Sequence, residues 1–422
     1  MYIEPLTLYR ELIQNSTDSI DLRYRRNTGK SGRIIVTLDR TNRTVVVEDN
    51  GIGIKQGSAG RVLTSIGESE KRGADARGFR GVGRLAGLGY CKKLRFEAKA
   101  PGEVKKTVVE WDGVQFRQKI KDPEYKKDLA TLIDDITSIE KVSSERKKGD
   151  GIFRVSLIGV VRLPLDRLLN EEKIASYVSQ HCPVPYSDDF SQKDEVEIFL
   201  RQHSDYKTYQ VFLKQERGDD ESELEQPLQQ VFRPFGSAIG EVPIKDATIG
   251  TELIETSHGV NAIWHIDHEL LGAISKSQGI RGLRARQKNI QVGEENIFAE
   301  LFKEPRFNSW VCGEVHVGDP KILPNGRRDS FEPSPSFSQL ETSLHEITHR
   351  LSSKCRSDSR LRNYERKVDN DLSSLSEVVG ALSKITVPTD VVGNIVGDIS
   401  KQLVDLENRI KSGDSLQTAK RN

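Results

Sequence analysis

The 422-residue chain is short of several things that would narrow its class at once. It has no excess charge of one sign, since 64 Lys and Arg stand against 63 Asp and Glu. A global pull toward nucleic acid is therefore absent, although a local basic face is still allowed. No apolar run approaches the length of a membrane-spanning helix, and the first residues lack the basic-then-apolar pattern of a secretory leader. These absences predict a chain without a membrane, in the cytoplasm. The four cysteines, Cys91, Cys182, Cys312 and Cys355, are scattered and form no CxxC pair. That excludes a spacing-based metal knuckle and predicts buried free thiols in a reducing compartment. No long internal repeat is present. The length exceeds one ordinary core and predicts two or three domains.

What is present is concentrated in the first ninety residues. Residues 5–25 read as a helix with Leu8, Leu12 and Ile20 toward a core and Glu11, Asn15 and Asp18 on another face. Arg33–Asp39 and Thr44–Glu48 read as a hairpin that runs into Asp49-Asn50-Gly51-Ile52-Gly53. Residues 54–77 are charged and punctuated by glycine, as a mobile loop is. Gly78-Phe79-Arg80-Gly81-Val82-Gly83 then precedes a helix-like segment.

In this order the three segments can build one nucleotide site. Glu11 is placed to orient and deprotonate a water. Asn15, one turn on, offers a carbonyl oxygen to Mg2+, which needs few protein ligands. Asp18 could steady waters or the base. Asp49 ends a strand, where its carboxylate can accept the adenine amino group, with Gly51 and Gly53 letting the backbone approach the ring. The amides of a glycine-rich stretch at a helix start (Gly78, Phe79, Arg80, Gly81, Val82, Gly83) can cradle phosphates.

Together these segments resemble the GHKL ATPases, the group of gyrase B, the HtpG-type chaperones, histidine kinases, MutL and the MORC-like proteins. The helix motif E-L-I-x-N-[AS]-x-D-[AS] is matched from Glu11 through Ser19, and D-x-G-x-G at Asp49, Gly51 and Gly53. Gly78-Phe79-Arg80-Gly81 is similar to the MutL loop, Gly81-Val82-Gly83 to the chaperone loop, and Ile66–Lys71 to the lid of MORC-like members. The resemblance implies ATP and Mg2+ as cofactors, Glu11 as base, Asn15 as metal ligand and Asp49 as adenine anchor. It departs at Gly149-Asp150-Gly151-Ile152, where the family carries Gly-Thr.

The implied fold class is α+β: a Bergerat-type ATP-binding α/β sandwich (1–160), a transducer-like α+β domain (161–335) and a helical C-terminal region (336–422). In the second domain Glu195–Arg201, Tyr209–Leu213, Val260–Ile266 and Trp310–Val317 read as strands. Such a domain lends a cation to the γ-phosphate in related branches. Arg281, Arg284, Arg286 and Lys288 crowd together, Lys288 or Arg286 is the expected sensor, and Arg327-Arg328-Asp329 sits in a turn context. The third region reads as helices interrupted at Pro388, with a frayed tail from Ser412. ATP binding is expected to close the lid and pair two chains into a homodimer acting on a protein or nucleic-acid client, in a chaperone, DNA-handling or prokaryotic defence role.

Two other readings start from the same residues. One is a nucleotide-gated scaffold without significant turnover. The other is a zinc metallopeptidase built on His345-Glu346-Ile347-Thr348-His349, which matches H-E-x-x-H, with Glu365 as third ligand. Gly29-Lys30-Ser31 imitates the end of a P-loop, but Tyr24 stands where its glycine is needed.

Overall fold

The computed structural model describes residues 4–24, 32–65, 83–216, 227–382 and 389–421. Helix α1 (Thr7–Tyr24) buries Leu8, Leu12, Ile13 and Ile20 on its core side. Strands β1 (Arg33–Asp39) and β2 (Thr44–Asp49) form the expected hairpin, with Ile34 paired to Asp49 and Val36 to Val47. Alternation sends Ile34, Val36, Leu38, Val45, Val47 and Asp49 to the covered face. Helix α2 (Gln56–Thr64) follows the glycine-rich turn. A 3-10 helix (Gly83–Tyr90) leads to β3 (Lys93–Lys99) and β4 (Lys105–Asp112).

Between β4 and the next strand of the sheet's centre come α3 (Gly113–Lys121), α4 (Leu129–Ile136) and an edge strand, β5 (Thr137–Ser143). Asp112 and Asp128 start the two helices by accepting backbone N–H groups of their first turns. Strand β6 (Ile152–Ile158) lies between β2 and β3. After α5 (Glu171–His181) comes α6 (Lys193–His203), which corrects the strand expected over Glu195–Arg201. Val196, Ile198 and Leu200 recur at every second position and imitate strand alternation, but only Val196 and Leu200, one helical turn apart, are buried, and Ile198 is exposed.

Strand β7 (Gln210–Glu216) pairs in parallel with β1, and the two-residue β8 (Gln229–Gln230) follows it at the edge. The first sheet therefore has the order β5-β4-β3-β6-β2-β1-β7-β8 and takes strands from both sides of residue 160. Its core is one cluster running from Leu6 to Val231, with α1 and α5 on the covered face.

A short pair, β9 (Ala238–Ile239) and β10 (Val242–Pro243), precedes the second main sheet. That sheet contains β11 (Thr248–Thr256), β12 (Gly259–Asp267), β13 (Gly282–Gln287), β14 (Ile290–Val292) and β15 (Cys312–Val317), in the order β11-β12-β15-β13-β14. The long helix α7 (Pro335–Leu382) seats Leu340, Leu344, Ile347 and Leu351 on a core with Phe298, Phe307 and Val315. It is continuous to Leu382, and α8 (Thr389–Arg421) carries helix through the tail expected to fray. The whole is α+β, and no helix of the described residues is long and apolar enough to cross a membrane. All four cysteines are buried and unpaired.

Candidate functional site

On α1 the half-buried positions Glu11, Asn15 and Ser19 recur every four residues, among neighbours that are mostly buried. They form one line about 12 Å long at 1.5 Å per residue. Asp18 is buried and already engaged, so it sits off this line. Leu12, Ile13 and Ile20 fix the rotation of the helix by their burial, which is why its polar side opens toward the strand ends.

Asp49 closes the far end of the line. It is almost fully buried; its Oδ1 accepts the Gly51 N–H at 2.9 Å and the Ser19 hydroxyl at 3.0 Å. Its Oδ2 is buried and has no hydrogen-bond partner among the described residues. Burial pushes this carboxyl up to about 7, with the Gly51, Ser19 and Ser16 donors working against the rise. The orphaned acceptor is what an exocyclic amine would satisfy, so the residues present fit an adenine.

The glycines beside it are required by the protein itself. Gly53 has φ +62°, and a Cβ there would stand 2.1 Å from the Lys99 carbonyl oxygen. A Cβ on Gly51 would stand 2.2 Å from Ser19 Oγ. The Ile52 N–H donates to the Ser19 carbonyl at 3.1 Å, and the Arg23 guanidinium holds the Asn50 and Gly51 carbonyls from behind. Gly151 packs as closely, since a Cβ would lie 2.4 Å from the Gly51 oxygen. The segment that departs from the expected Gly-Thr is thus the one pressed on the Asp49 turn. A cavity of about 410 Å³ behind this turn is lined by Arg23, Arg33, Ile35, Glu48, Arg146 and others. Asp49, Asn50 and Gly151 also line it, but Ile35 and Glu48 alternate away from the face to which the Asp49 carboxylate points, so the cavity opens on the other face of the hairpin.

At the other end stands Glu11. A Cβ on Gly83 would lie 2.5 Å from Glu11 Oε2, so the last glycine of the loop comes directly onto the carboxylate. Gly78, Phe79, Arg80, Gly81 and Val82 lie outside the described residues, as do Ile66–Lys71 of the expected lid. The buried Arg10 donates through Nη2 to Glu11 Oε1 at 3.2 Å and to the Arg327 carbonyl oxygen at 3.1 Å. Its Nε has no hydrogen-bond partner among the described residues. Sequence reading missed Arg10, the neighbour of Glu11, and gave no role to Ser19, although it closes the matched helix motif.

The Arg327 contact bears on the cationic sensor. Asn325 Oδ1 accepts the N–H groups of Arg327 and Asp329, each at 3.2 Å, and the Arg328 carbonyl accepts the Gly293 N–H at 2.8 Å. This turn is thereby fixed to the end of β14 and to α1. Lys288 lies at the β13–β14 turn, with φ +49°, at the opposite end of that hairpin from Gly293. Arg286 is fully buried, with Nε 2.5 Å from Glu314 Oε1. Arg233 engages the same carboxylate, and His316 Nε2 is 2.8 Å from Oε2. Burial alone would raise the Glu314 carboxyl, but Arg233 and Arg286 hold it well below the usual range. Of the basic residues singled out in the second domain, Arg327 supplies the contact to the Arg10–Glu11 pair.

The H-E-x-x-H residues lie on α7. The His345 and His349 rings are 3.8 Å apart, Ile347 is in the core, and the Thr348 hydroxyl donates to the Leu301 carbonyl at 2.6 Å. Glu365 is sixteen residues beyond His349 on the same continuous helix, about 24 Å along its axis, so it cannot be their third ligand. Among the described residues no group of three His, Cys, Asp or Glu side chains is placed to hold a metal.

Residues 7–145 match the family model described as histidine kinase-, DNA gyrase B-, and HSP90-like ATPase. Over 131 residues the chain is 30% identical to the chaperone protein HtpG of Acinetobacter baylyi (strain ATCC 33305 / BD413 / ADP1). That similarity covers 26% of this chain and 20% of the relative, so the chain spans about a fifth of the length of the curated protein it matches.

Proposed function

We propose that this chain, whose residues 7–145 are a GHKL-type ATPase domain, binds ATP and hydrolyses it. Asp49 would accept the adenine amino group through Oδ2, with Gly51 and Gly53 shaping the turn. Gly78, Phe79, Arg80, Gly81, Val82 and Gly83 would surround the phosphates. Glu11 would orient and deprotonate the attacking water, a role in which a positioned carboxylate contributes ~10²–10⁴-fold. Arg10, shared between Glu11 and the Arg327 carbonyl, would hold that carboxylate in place. Asn15 would hold Mg2+, whose charge offsets that of the phosphates.

The cation reaching the γ-phosphate would come from the second domain, with Lys288 and the Arg327–Arg328 turn as its two sources. The divisions 1–160, 161–335 and 336–422 remain our working units, coupled where β7 joins the first sheet. Nucleotide binding would close the segment 54–77 and pair two chains in the cytoplasm around a protein or nucleic-acid client. Chaperone, DNA-handling and defence roles are all compatible with this cycle.

The unpartnered Oδ2 of Asp49 carries this reading. Buried acceptors are almost always satisfied, and among the described residues this one has only the Ser16 hydroxyl near it, without a formed hydrogen bond. Phosphate release from ATP, measured with magnesium and with a chelator, tests it. Magnesium-dependent release supports the proposal. ATP bound without release would favour the nucleotide-gated scaffold, and absence of ATP binding would overturn both.

A further inference from the structure

Helix α7 carries an uneven charge. Between Arg350 and Lys367 seven Lys and Arg side chains stand against Asp358 and Glu365 alone, a local excess of five in a chain of net charge +1. Part of this charge is used inside the fold. Arg350 pairs with Glu252, Lys354 with Asp267, Arg356 with Glu304, and the Arg362 guanidinium lies 4.8 Å from the Trp310 ring centre. The rest is not. Arg360 and Lys367 are exposed, and among the described residues neither has an ion-pair partner.

The helix arranges these cations in a line. At about 100° per residue, His345, His349, Arg356, Arg360, Asn363 and Lys367 fall within ~40° of one straight track. From His345 to Lys367 the track is about 33 Å long. Asp358, Glu346 and Glu365 all fall well away from it. The neighbouring segment adds Lys303 and Arg306, and it is tied to the helix where the Lys303 N–H donates to Ser352 Oγ at 3.1 Å. Glu304 is the acid beside the track, shared by Arg306 and Arg356.

We propose that this track is a docking surface for the phosphate backbone of duplex DNA, bound without regard to sequence. Charge decides the class, since Arg, Lys and Asn are the side chains that contact phosphate, and no carboxylate of α7 lies on the line, Glu304 being the one acid that reaches it from beside. Shape decides the form. A rigid, straight helix face of about 33 Å matches one ~34 Å turn of B-form duplex. The track itself carries no Phe, Tyr or Trp on which unpaired bases would stack, which disfavours a single strand. The inference does not rest on the ATPase reading, and its test uses no nucleotide.

The test is fluorescence anisotropy of a labelled random-sequence 20-base-pair duplex, titrated with the full chain between 50 and 200 mM salt. About five cations on phosphates predict a log–log salt slope of about −4.5. The double variant Arg360→Ala, Lys367→Ala removes two of them. It should bind about 10- to 100-fold more weakly at the lowest salt, with a slope shallower by about two. Arg360→Lys with Lys367→Arg should restore binding, and unchanged circular dichroism would show that the fold persists in both variants. Equal binding by wild type and the alanine variant would overturn the proposal, as would no binding by wild type at the lowest salt. Poly-glutamate displacing the duplex at equal charge concentration would overturn it in favour of an acidic protein partner.

Discussion

Asp49→Asn should make the protein more stable above neutral pH while removing its hold on adenine. The carboxyl is raised from 3.8 to about 7 by burial, a difference of roughly three pH units, or about 4 kcal/mol against the ionised form. Asparagine keeps an Oδ1 for the Gly51 N–H and the Ser19 hydroxyl but carries no charge. Its Nδ2 would replace the orphaned Oδ2 and become an unpaired buried donor, at a cost of ~1–3 kcal/mol. The net expectation at pH 8 is a gain of about 1–3 kcal/mol. The sign depends on pH. A raised carboxyl means that the folded chain keeps a proton which the unfolded chain has released, so the stability tied to that proton is present below about pH 4 and lost as pH rises through 7. Below pH 4.5 the advantage of the variant should therefore vanish or reverse. ATP affinity should fall ~10- to 100-fold, the worth of a hydrogen bond to a charged acceptor. Denaturant melts at pH 4.5, 6 and 8, together with nucleotide calorimetry, check both halves. A variant less stable than wild type at pH 8 that still binds ATP normally would refute the reasoning.

Binding of ATP should also release protons near pH 7, because an amino donor on Oδ2 favours the ionised form. Calorimetry in buffers of different ionisation heat should detect a substantial fraction of one proton, and zero release would contradict the placement of adenine. Gly53→Ala forces a Cβ onto the Lys99 carbonyl at a φ of +62° and should cost ~2–4 kcal/mol, measured by urea unfolding. Arg10→Ala should lower kcat at least about tenfold with little change in ADP affinity, since it frees the Glu11 carboxylate and the Arg327 turn without touching the adenine end; a rise in KM alone would argue against a positioning role. Glu314→Gln leaves Arg233 and Arg286 buried without their anion and should cost ~3–5 kcal/mol, visible as a large fall in Tm.

The sequence was most legible where one short segment does one thing. The period of α1 separates Leu8, Leu12 and Ile20 from Glu11 and Asn15, and the hairpin alternation delivers Asp49 to the covered face. Legibility failed where tertiary partners decide. Val196 and Leu200 fit either a strand or a helix until both are seen buried in the same core. The joining of β7 to β1 is parallel and distant in sequence, so no local pattern announces it. Lys288 stood out because its neighbourhood is basic. Yet Arg284 and Arg286 point inward, Arg286 onto Glu314, whereas Arg327 reaches Arg10 through a main-chain carbonyl, which no side-chain motif encodes. Glu365 resembled a metal ligand only until α7 proved continuous, which fixes its distance from His349.

The most direct measurement is magnesium-dependent ATP turnover by wild type and by Glu11→Ala, side by side, with ATP binding followed in both. The account predicts steady turnover in the wild type, its loss by ~10²-fold or more in the variant, and ATP bound by both. Turnover surviving in Glu11→Ala would contradict the assignment of the base. Failure of the wild type to bind ATP would contradict the account as a whole.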